Sequence, residues 1–472
     1  MKNRERIDVV AVSALCLACS LSVACGGSEP VKKARENAPK SIPLTYRDGL
    51  NEEANYGTEP WQTRVDRGTY ARRATKPGEA VSRPPDADEL EAIQRLALEA
   101  EKIRKLRFIR PVDIRIQNRA AMTEYIRSKT KRRDIDRMRI RYQALGMLEE
   151  SISTDDIMKE IDKTEALGYY DPDLNRLVVR DDVAPGLLLV GARTDQVEQR
   201  SAILHELVHA LQDQHFHIKR ALDQERSADE RAARMALVEG DATLAMINYF
   251  VKRVGIKFES VIRNPETFRH VIGIERVMAF SRQFSAAELK LMFRYQRGAL
   301  FVAGLLDKGS WKEVNRAFRA MPTTTTAIYE YQRYRDKWRP ARIKSPSRPA
   351  LRRAGYKVVQ SDVLGRLELD VYISRGVTDT EKVTAEWNGD RLLILERKGK
   401  YASYWIIHLN DPRSTEVVLN LAKEGYEAAA VEAKIPYRVE AYGQYVLIMR
   451  NIPPKLGEKL VEEFTVWAGK NS

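Results

Sequence analysis

The chain reads ILHELVHALQDQ over residues 203–214, inside a helical pattern that begins at Asp195 with Glu198 as its capping-box partner. Residues four apart share one face of a helix, so the imidazoles of His205 and His209 project side by side, about 6 Å apart along the axis. That spacing lets both rings bind one tetrahedral zinc ion. The expected fold must therefore bury one face of this helix and turn the two histidines toward a metal.

Glu206 follows the first histidine, so its carboxylate can reach a zinc-bound water and take its proton. The same helix carries an apolar stripe that would anchor it in a core, formed by Ile203, Leu204, Leu207, Val208 and Leu211. The pattern predicts one catalytic Zn²⁺ per chain, with Glu206 as the general base. Two surface histidines on an amphipathic helix are the simpler alternative.

A family resemblance rests on two short motifs. HELVHALQD at residues 205–213 resembles the active-site helix of thermolysin-like gluzincin peptidases, including the aspartate four residues after the second histidine. In that family a glutamate on a following helix is the third zinc ligand, and LVEGDA at residues 237–242 offers Glu239 for this role. HELVHALQDQHF with a later EGDA is also similar to a group of predicted bacterial and archaeal metallopeptidases. Over about residues 111–340, the resemblance implies hydrolysis of protein or peptide substrates.

His215 is a second candidate for the third ligand, because the segment from His205 to His215 has the spacing of the metzincin motif HExxHxxGxxH. Metzincins need glycine at the eighth position to turn the chain out of the helix, and this chain has Gln212 there. If the helix continues, His215 points about 120° away from His209. Glu239 is therefore preferred, with His215 as the alternative.

Further side chains are candidates for supporting roles. A ligating imidazole usually donates its other N–H to a carboxylate or carbonyl, and Asp213 and Asp241 lie close enough in sequence to accept it. Both are equally compatible with being solvated acids. Peptide hydrolysis also needs an oxyanion stabiliser. FRYQRG at residues 293–298 resembles the Tyr-x-x-Gly helix of related families, which implies this role for Tyr295; His270 and a merely structural tyrosine are the alternatives.

The first 85 residues predict secretion and attachment to a membrane. All three cysteines, Cys16, Cys19 and Cys25, lie there, after basic residues and within or just past an apolar run. LSVACGG at residues 21–27 resembles a bacterial lipoprotein signal, which implies a signal peptide over residues 1–25, lipidation of Cys25 and a place on the periplasmic or outer face of a Gram-negative outer membrane. Lipidation of Cys19 and a plain secretory leader are the alternatives. Residues 26–85 predict a flexible tether.

The remaining chain predicts an α+β fold in two parts. Residues 86–343 are expected to form a mainly helical, zincin-like peptidase domain with a small sheet, including a hairpin within residues 168–179. Residues 112–116 or 177–179 fit an edge strand that pairs with extended substrate, or else an interior strand. Residues 350–472 are expected to form a smaller α+β domain of unassigned role. Its predicted strands are 367–373, 383–387, 391–396, 404–409 and 445–450.

The formal net charge of +14 does not by itself indicate a nucleic-acid partner. Basic residues are spread along the chain and mixed with acids, and the densest run, residues 127–141, contains Asp134 and Asp136 without interleaved aromatics. A solvated charged surface is the expected reading, with no nucleic acid bound. A polyanion-binding surface protein and a catalytically inactive peptidase fold used for binding or assembly are the alternatives to an enzyme. The pattern predicts no particular oligomeric state.

Overall fold

The computed structural model describes residues 79–162, 166–188, 194–224, 226–253, 255–264, 266, 268–269, 286–374 and 380–471. The predicted signal peptide, Cys25, most of the tether and His270 lie outside these residues. Within them, no helix combines the length and the hydropathy that a bilayer crossing requires. The fold is α+β, mainly helical with two small sheets, as predicted.

The first sheet has four strands in the order β1-β2-β4-β3. Their bounds are β1 Ser82–Arg83, β2 Asp113–Gln117, β3 Gly168–Asp171 and β4 Arg176–Arg180. Strands β3 and β4 form the predicted antiparallel hairpin, and β2 runs parallel to β4. Residues 113–116 and 177–179 belong to interior strands, the second of the two interpretations given above, because β2 and β4 each pair on both sides; the edge strands are β1 and β3. One expectation is corrected. Residues 82–83 of the predicted tether pair with β2.

Helices surround this sheet. In chain order they are α1 Ala87–Arg104, α2 Arg119–Lys129, α3 Arg132–Leu145, α4 Thr154–Ile161, α5 Ala184–Leu188, α6 Thr194–Phe216, α7 Ile218–Asp223, α8 Ala228–Arg253 and α9 Phe258–Ile262. The predicted capping box at the start of α6 involves Asp195, whose side chain lies outside the description. The apolar stripe of α6 is buried in one cluster with α1, β2 and β4. This packing fixes the rotation of α6 about its axis, and with it the direction of the histidines.

After α9 the chain forms α10 Ala286–Met292, a π-helical turn over Phe293–Arg297, α11 Gly298–Lys308 and α12 Trp311–Arg319. The helical stretch is interrupted at Gly309, between α11 and α12. Helices α8 and α11 cross in close contact at Gly240 and Gly298: a Cβ added to Gly240 would lie 2.1 Å from the carbonyl carbon of Gly298. Only glycine allows backbones to approach this closely. The crossing places the π-helical turn next to the middle of α8.

The second sheet has five antiparallel strands in the order β5-β6-β7-β9-β8. The strands are β5 Lys357–Asp362, β6 Trp387–Arg397, β7 Lys400–Leu409, β8 Tyr437–Tyr442 and β9 Tyr445–Arg450. The accompanying helices are α13 Thr325–Tyr329, α14 Tyr331–Arg335, α15 Arg348–Arg353, α16 Gly365–Ile373, α17 Glu381–Thr384, α18 Pro412–Glu432 and α19 Pro454–Gly469. Strands β5 and β8 were not predicted.

Two predicted strands in this part are wrong. Residues 367–373 lie in α16, and most of residues 383–387 lie in or just after α17. The alternating pattern of residues 367–373 imitates a strand because Glu368 is buried and Asp370 half-buried, each with partners inside the protein. Glu368 forms an ion pair with Lys290 at 2.7 Å, and Asp370 accepts hydrogen bonds from Tyr329 and Thr380. Polar side chains that have partners inside the protein need not face solvent. The alternation of polar and apolar residues therefore did not indicate a strand with one exposed face.

The two predicted parts share a hydrophobic core. One buried cluster includes Leu237 of α8, Leu305 of α11, Trp405 of β7 and Ile448 of β9. The predicted linker, residues 344–349, runs along this body, and Ser347 within it is fully buried against the hydroxyl of Tyr404. The second sheet thus packs in one cluster with α8 and α11.

Candidate metal centre

Helix α6 continues without interruption to Phe216, so His205 and His209 lie on one face. Their Nε2 atoms are 3.1 Å apart, and the two rings are nearly perpendicular. Both side chains are only 7% exposed. Together with Glu206 they form a buried group whose ligand atoms lie within 4.8 Å of one another, which could hold a metal ion.

Glu239 enters this group from α8. Its Oε2 lies 3.3 Å from Nε2 of His205 and 3.4 Å from Nε2 of His209. Ligand atoms about 2.0–2.1 Å from a tetrahedral zinc are separated by roughly 3.3 Å. The triangle of two nitrogens and one oxygen, with edges of 3.1, 3.3 and 3.4 Å, therefore has the size of one face of a zinc coordination sphere.

The charges in this triangle depend on one another. Burial alone would lower the pKa of His209, but the neighbouring Glu239 carboxylate outweighs it and raises the pKa to about 9. Burial would raise the pKa of Glu239, yet the two imidazoles hold it well below its ordinary value. In the absence of metal a proton on His209 thus balances the charge of Glu239. A divalent cation in the triangle would take the place of that proton.

Glu206 is held in place by a strand of the first sheet. The backbone N–H of Tyr170, in edge strand β3, donates a hydrogen bond of 3.0 Å to Glu206 Oε2. The hydroxyl of Tyr170 donates to Asp213 Oδ2 at 3.1 Å. Strand β3 thus fixes two carboxylates of α6, one of them adjacent to the histidines.

Tyr295 lies next to the ring of His205. The rings of Tyr295 and His205 are stacked, with centroids 5.9 Å apart and planes inclined by 30°. The π-helical turn adds one residue per turn relative to an α-helix, and such turns are frequent at functional sites. Three residues further on, Gly298 makes the close contact with Gly240 that holds this turn against α8. Tyr295 therefore lies next to His205, and its role as oxyanion stabiliser stays a prediction.

His215 is held by the backbone of the segment between α1 and β2. Helix α6 passes through Gln212 without turning out, and His215 Nε2 lies 2.7 Å from the carbonyl oxygen of Arg107. Its pKa is lowered by burial. The metzincin geometry would need the chain to leave the helix at Gln212. The structure therefore favours the arrangement with Glu239.

The two candidate carboxylates contact other groups than expected. Asp213 accepts from Tyr170, and Asp241 accepts from Gln212 and Arg104. The acceptor at His209 Nδ1 is Oε1 of Gln212, at 2.9 Å. Sequence reasoning missed this role because it treated Gln212 only as the residue that replaces a metzincin glycine. Its position three residues after a ligand histidine, on the same helix face, is the signal that could have found it.

Comparisons of this chain with protein-family models, with curated proteins and with solved structures found no match. The assignment of a function consequently depends on the site itself.

Proposed function

We propose that this protein is a zinc-dependent peptidase in which His205, His209 and Glu239 hold the metal. The observation that carries the proposal is the triangle of their ligand atoms, whose edges match the face of a zinc tetrahedron. Three protein ligands leave a fourth position for water or substrate, which is the arrangement of catalytic rather than structural zinc sites.

Zinc bound here would act as a Lewis acid toward a peptide carbonyl and would lower the pKa of a water molecule. Glu206 adjoins the ligands and is fixed by the N–H of Tyr170, so its carboxylate is placed to accept the proton of the attacking water. The same carboxyl group then donates a proton to the leaving amine. The hydroxyl of Tyr295, whose ring stacks on His205, is proposed to donate to the oxygen that becomes negative as water attacks.

The proposed place of action is the bacterial cell envelope, with the chain anchored through a lipid on Cys25. The basic and apolar residues before Cys25, and the small residues that follow it, support this proposal. Loss of radiolabelled palmitate from the protein in a Cys25→Ser variant is the test; unchanged labelling would refute an anchor at this residue.

The substitution Glu206→Gln tests the mechanism. Glutamine has nearly the same shape but cannot accept the proton, so the variant should keep one zinc per chain and lose hydrolysis of casein by about 10²- to 10⁴-fold. Glu198→Gln, a substitution of the same type two turns earlier on α6, is the matched control and should retain activity. Full activity of Glu206→Gln with normal zinc content would refute the role of Glu206. Zinc binding without hydrolysis by the wild type, on casein and on peptide libraries, would favour a binding module.

A further inference from the structure

A polar side chain that takes no part in holding the metal or moving the proton lies directly behind His209. We infer that Gln212 is a positioning residue: its amide fixes His209 in the tautomer that leaves Nε2 free for the metal, and a buried Arg104–Asp241 ion pair fixes the amide. This inference rests on the proposed zinc site and adds to it the group that sets its geometry.

The contacts of Gln212 leave only one orientation for its amide. Nε2 donates to the carbonyl oxygen of Val238 and to Oδ2 of Asp241, both at 2.9 Å. A flipped amide would turn its oxygen toward these two acceptors, which have no proton to offer. Oε1 must therefore face His209 Nδ1, where it accepts at 2.9 Å. Once a metal displaces the Nε2 proton, an imidazole that donates from Nδ1 presents the lone pair of Nε2, the atom that faces His205 and Glu239.

The Arg104–Asp241 pair makes this arrangement rigid. Both side chains are fully buried, and Arg104 Nε lies 2.8 Å from Asp241 Oδ1 and 2.9 Å from Oδ2. Arg104 also donates to Asn315 at 3.1 Å and lies 4.4 Å from the ring centre of Trp311. The connection runs from α1 and α12 through α8 to α6. Removing either partner of a buried ion pair is strongly destabilising, because it leaves an uncompensated buried charge. The pairing with Arg104 therefore holds Asp241 in place as an acceptor for Gln212.

The test compares Gln212→Met with Gln214→Met. Gln214 is buried on the same helix and its amide makes four hydrogen bonds, to Ile109, Arg110 and Asn175, away from the imidazoles. Both substitutions thus remove a satisfied buried amide, but only one removes the partner of His209. Zinc affinity is measured by competition with a chromophoric chelator at pH 7.5, with far-ultraviolet circular dichroism to check folding.

Removing the partner of a ligating imidazole typically weakens metal binding by about 10- to 100-fold. We expect this loss in Gln212→Met, and a change of less than about threefold in Gln214→Met. Equal affinity of Gln212→Met and wild type would overturn the inference, and so would equal losses in the two variants. If the wild type binds no zinc, the proposed function fails, and this inference fails with it.

A second measurement uses the wild type alone and decides the matter if Gln212→Met does not fold. The protein is labelled with ¹⁵N-histidine and loaded with ¹¹³Cd²⁺ as a zinc substitute. Coupling of cadmium to Nε2 of His209, together with a proton on Nδ1, is the expected result. Coupling through Nδ1 of His209 would overturn the inference while leaving a metal site, and hence the proposed function, in place.

Discussion

At the residue scale, the protonation of His209 depends on the side chains around it. Glu239 raises the pKa of this buried imidazole to about 9, although burial by itself acts in the opposite direction. In the metal-free protein the ring is therefore protonated at neutral pH, and a metal ion must displace that proton.

The first prediction concerns the pH dependence of zinc affinity. Because zinc and the proton compete for His209, the affinity should rise by up to tenfold per pH unit and level off only near pH 9. An unperturbed imidazole would give levelling near pH 6.5. Chelator competition between pH 6.0 and 8.5 measures the slope. His215→Ala is the control and should keep it; a wild-type affinity that is constant above pH 7 would contradict the prediction.

The sequence predicts the core of the site because its spacing is helical. His205, Glu206 and His209 lie on one continuous helix, where the separation in sequence fixes the direction of each side chain. Glu239 was found through resemblance, and its placement depends on how α8 packs against α6. The contact between Gln212 and His209 could not be predicted with the same certainty. It requires knowing that Asp241 and Arg104 lie behind Gln212, and this depends on tertiary packing.

At the scale of elements, the crossing of α8 and α11 brings together Glu239 and Tyr295. Gly240 follows the proposed ligand, and Gly298 follows the π-helical turn that carries Tyr295. A Cβ on Gly240 would lie 2.1, 2.3 and 2.6 Å from the carbonyl carbon, oxygen and Cα of Gly298. These are backbone atoms, so relief would require the helices to separate.

The second prediction is that Gly240→Ala destabilises the protein by at least about 1–3 kcal/mol and lowers zinc content, because overpacking outweighs the better helix propensity of alanine. Gly304→Ala is the matched control: it lies on α11 with no atom within 4 Å of an added Cβ. The free energy of unfolding of that variant should increase by up to about 1 kcal/mol. Urea unfolding measures both. A Gly240→Ala variant as stable as Gly304→Ala would refute the close crossing.

Elements with simple periodicity were predictable from the sequence. The β3–β4 hairpin and β9 lie at or close to their predicted bounds. Helix α16 was mistaken for a strand because Glu368 is buried and Asp370 half-buried, each with partners, so that its polar residues do not mark an exposed face. The π-helical turn over residues 293–297 was also not predicted, since no local residue pattern distinguishes it from an α-helix.

At the scale of the whole molecule, the start of α8, the helix that carries Glu239, contacts the segment between β5 and α16. The N–H of Asp229 donates to the carbonyl oxygen of Val363, just before α16, and Asp229 Oδ1 accepts from the N–H and hydroxyl of Thr325. Gly365 lies so close that a Cβ there would be 1.9 Å from Asp229 Oδ1. Burial raises the pKa of the Asp229 carboxyl to about 8.

The third prediction follows from this pKa. In the unfolded chain Asp229 loses its proton near pH 4, whereas the folded protein keeps it to about pH 8. Between these values the folded state binds more protons, so stability falls as pH rises. Asparagine carries no charge and keeps the acceptor oxygen. The free energy of unfolding of Asp229→Asn, relative to that of the wild type, should therefore increase by on the order of 1 kcal/mol for each pH unit from pH 5 to 8. Urea midpoints that fall in parallel for both proteins would contradict the assignment.

We propose that one zinc ion binds between α6 and α8, on His205, His209 and Glu239. The most direct measurement is the zinc content of purified Glu239→Ala and His215→Ala after dialysis against a weak chelator. Two imidazoles alone hold zinc weakly, so Glu239→Ala should lose its metal. His215→Ala should keep one zinc per chain, because His215 lies against Arg107. Loss of zinc from His215→Ala with retention by Glu239→Ala would contradict the account.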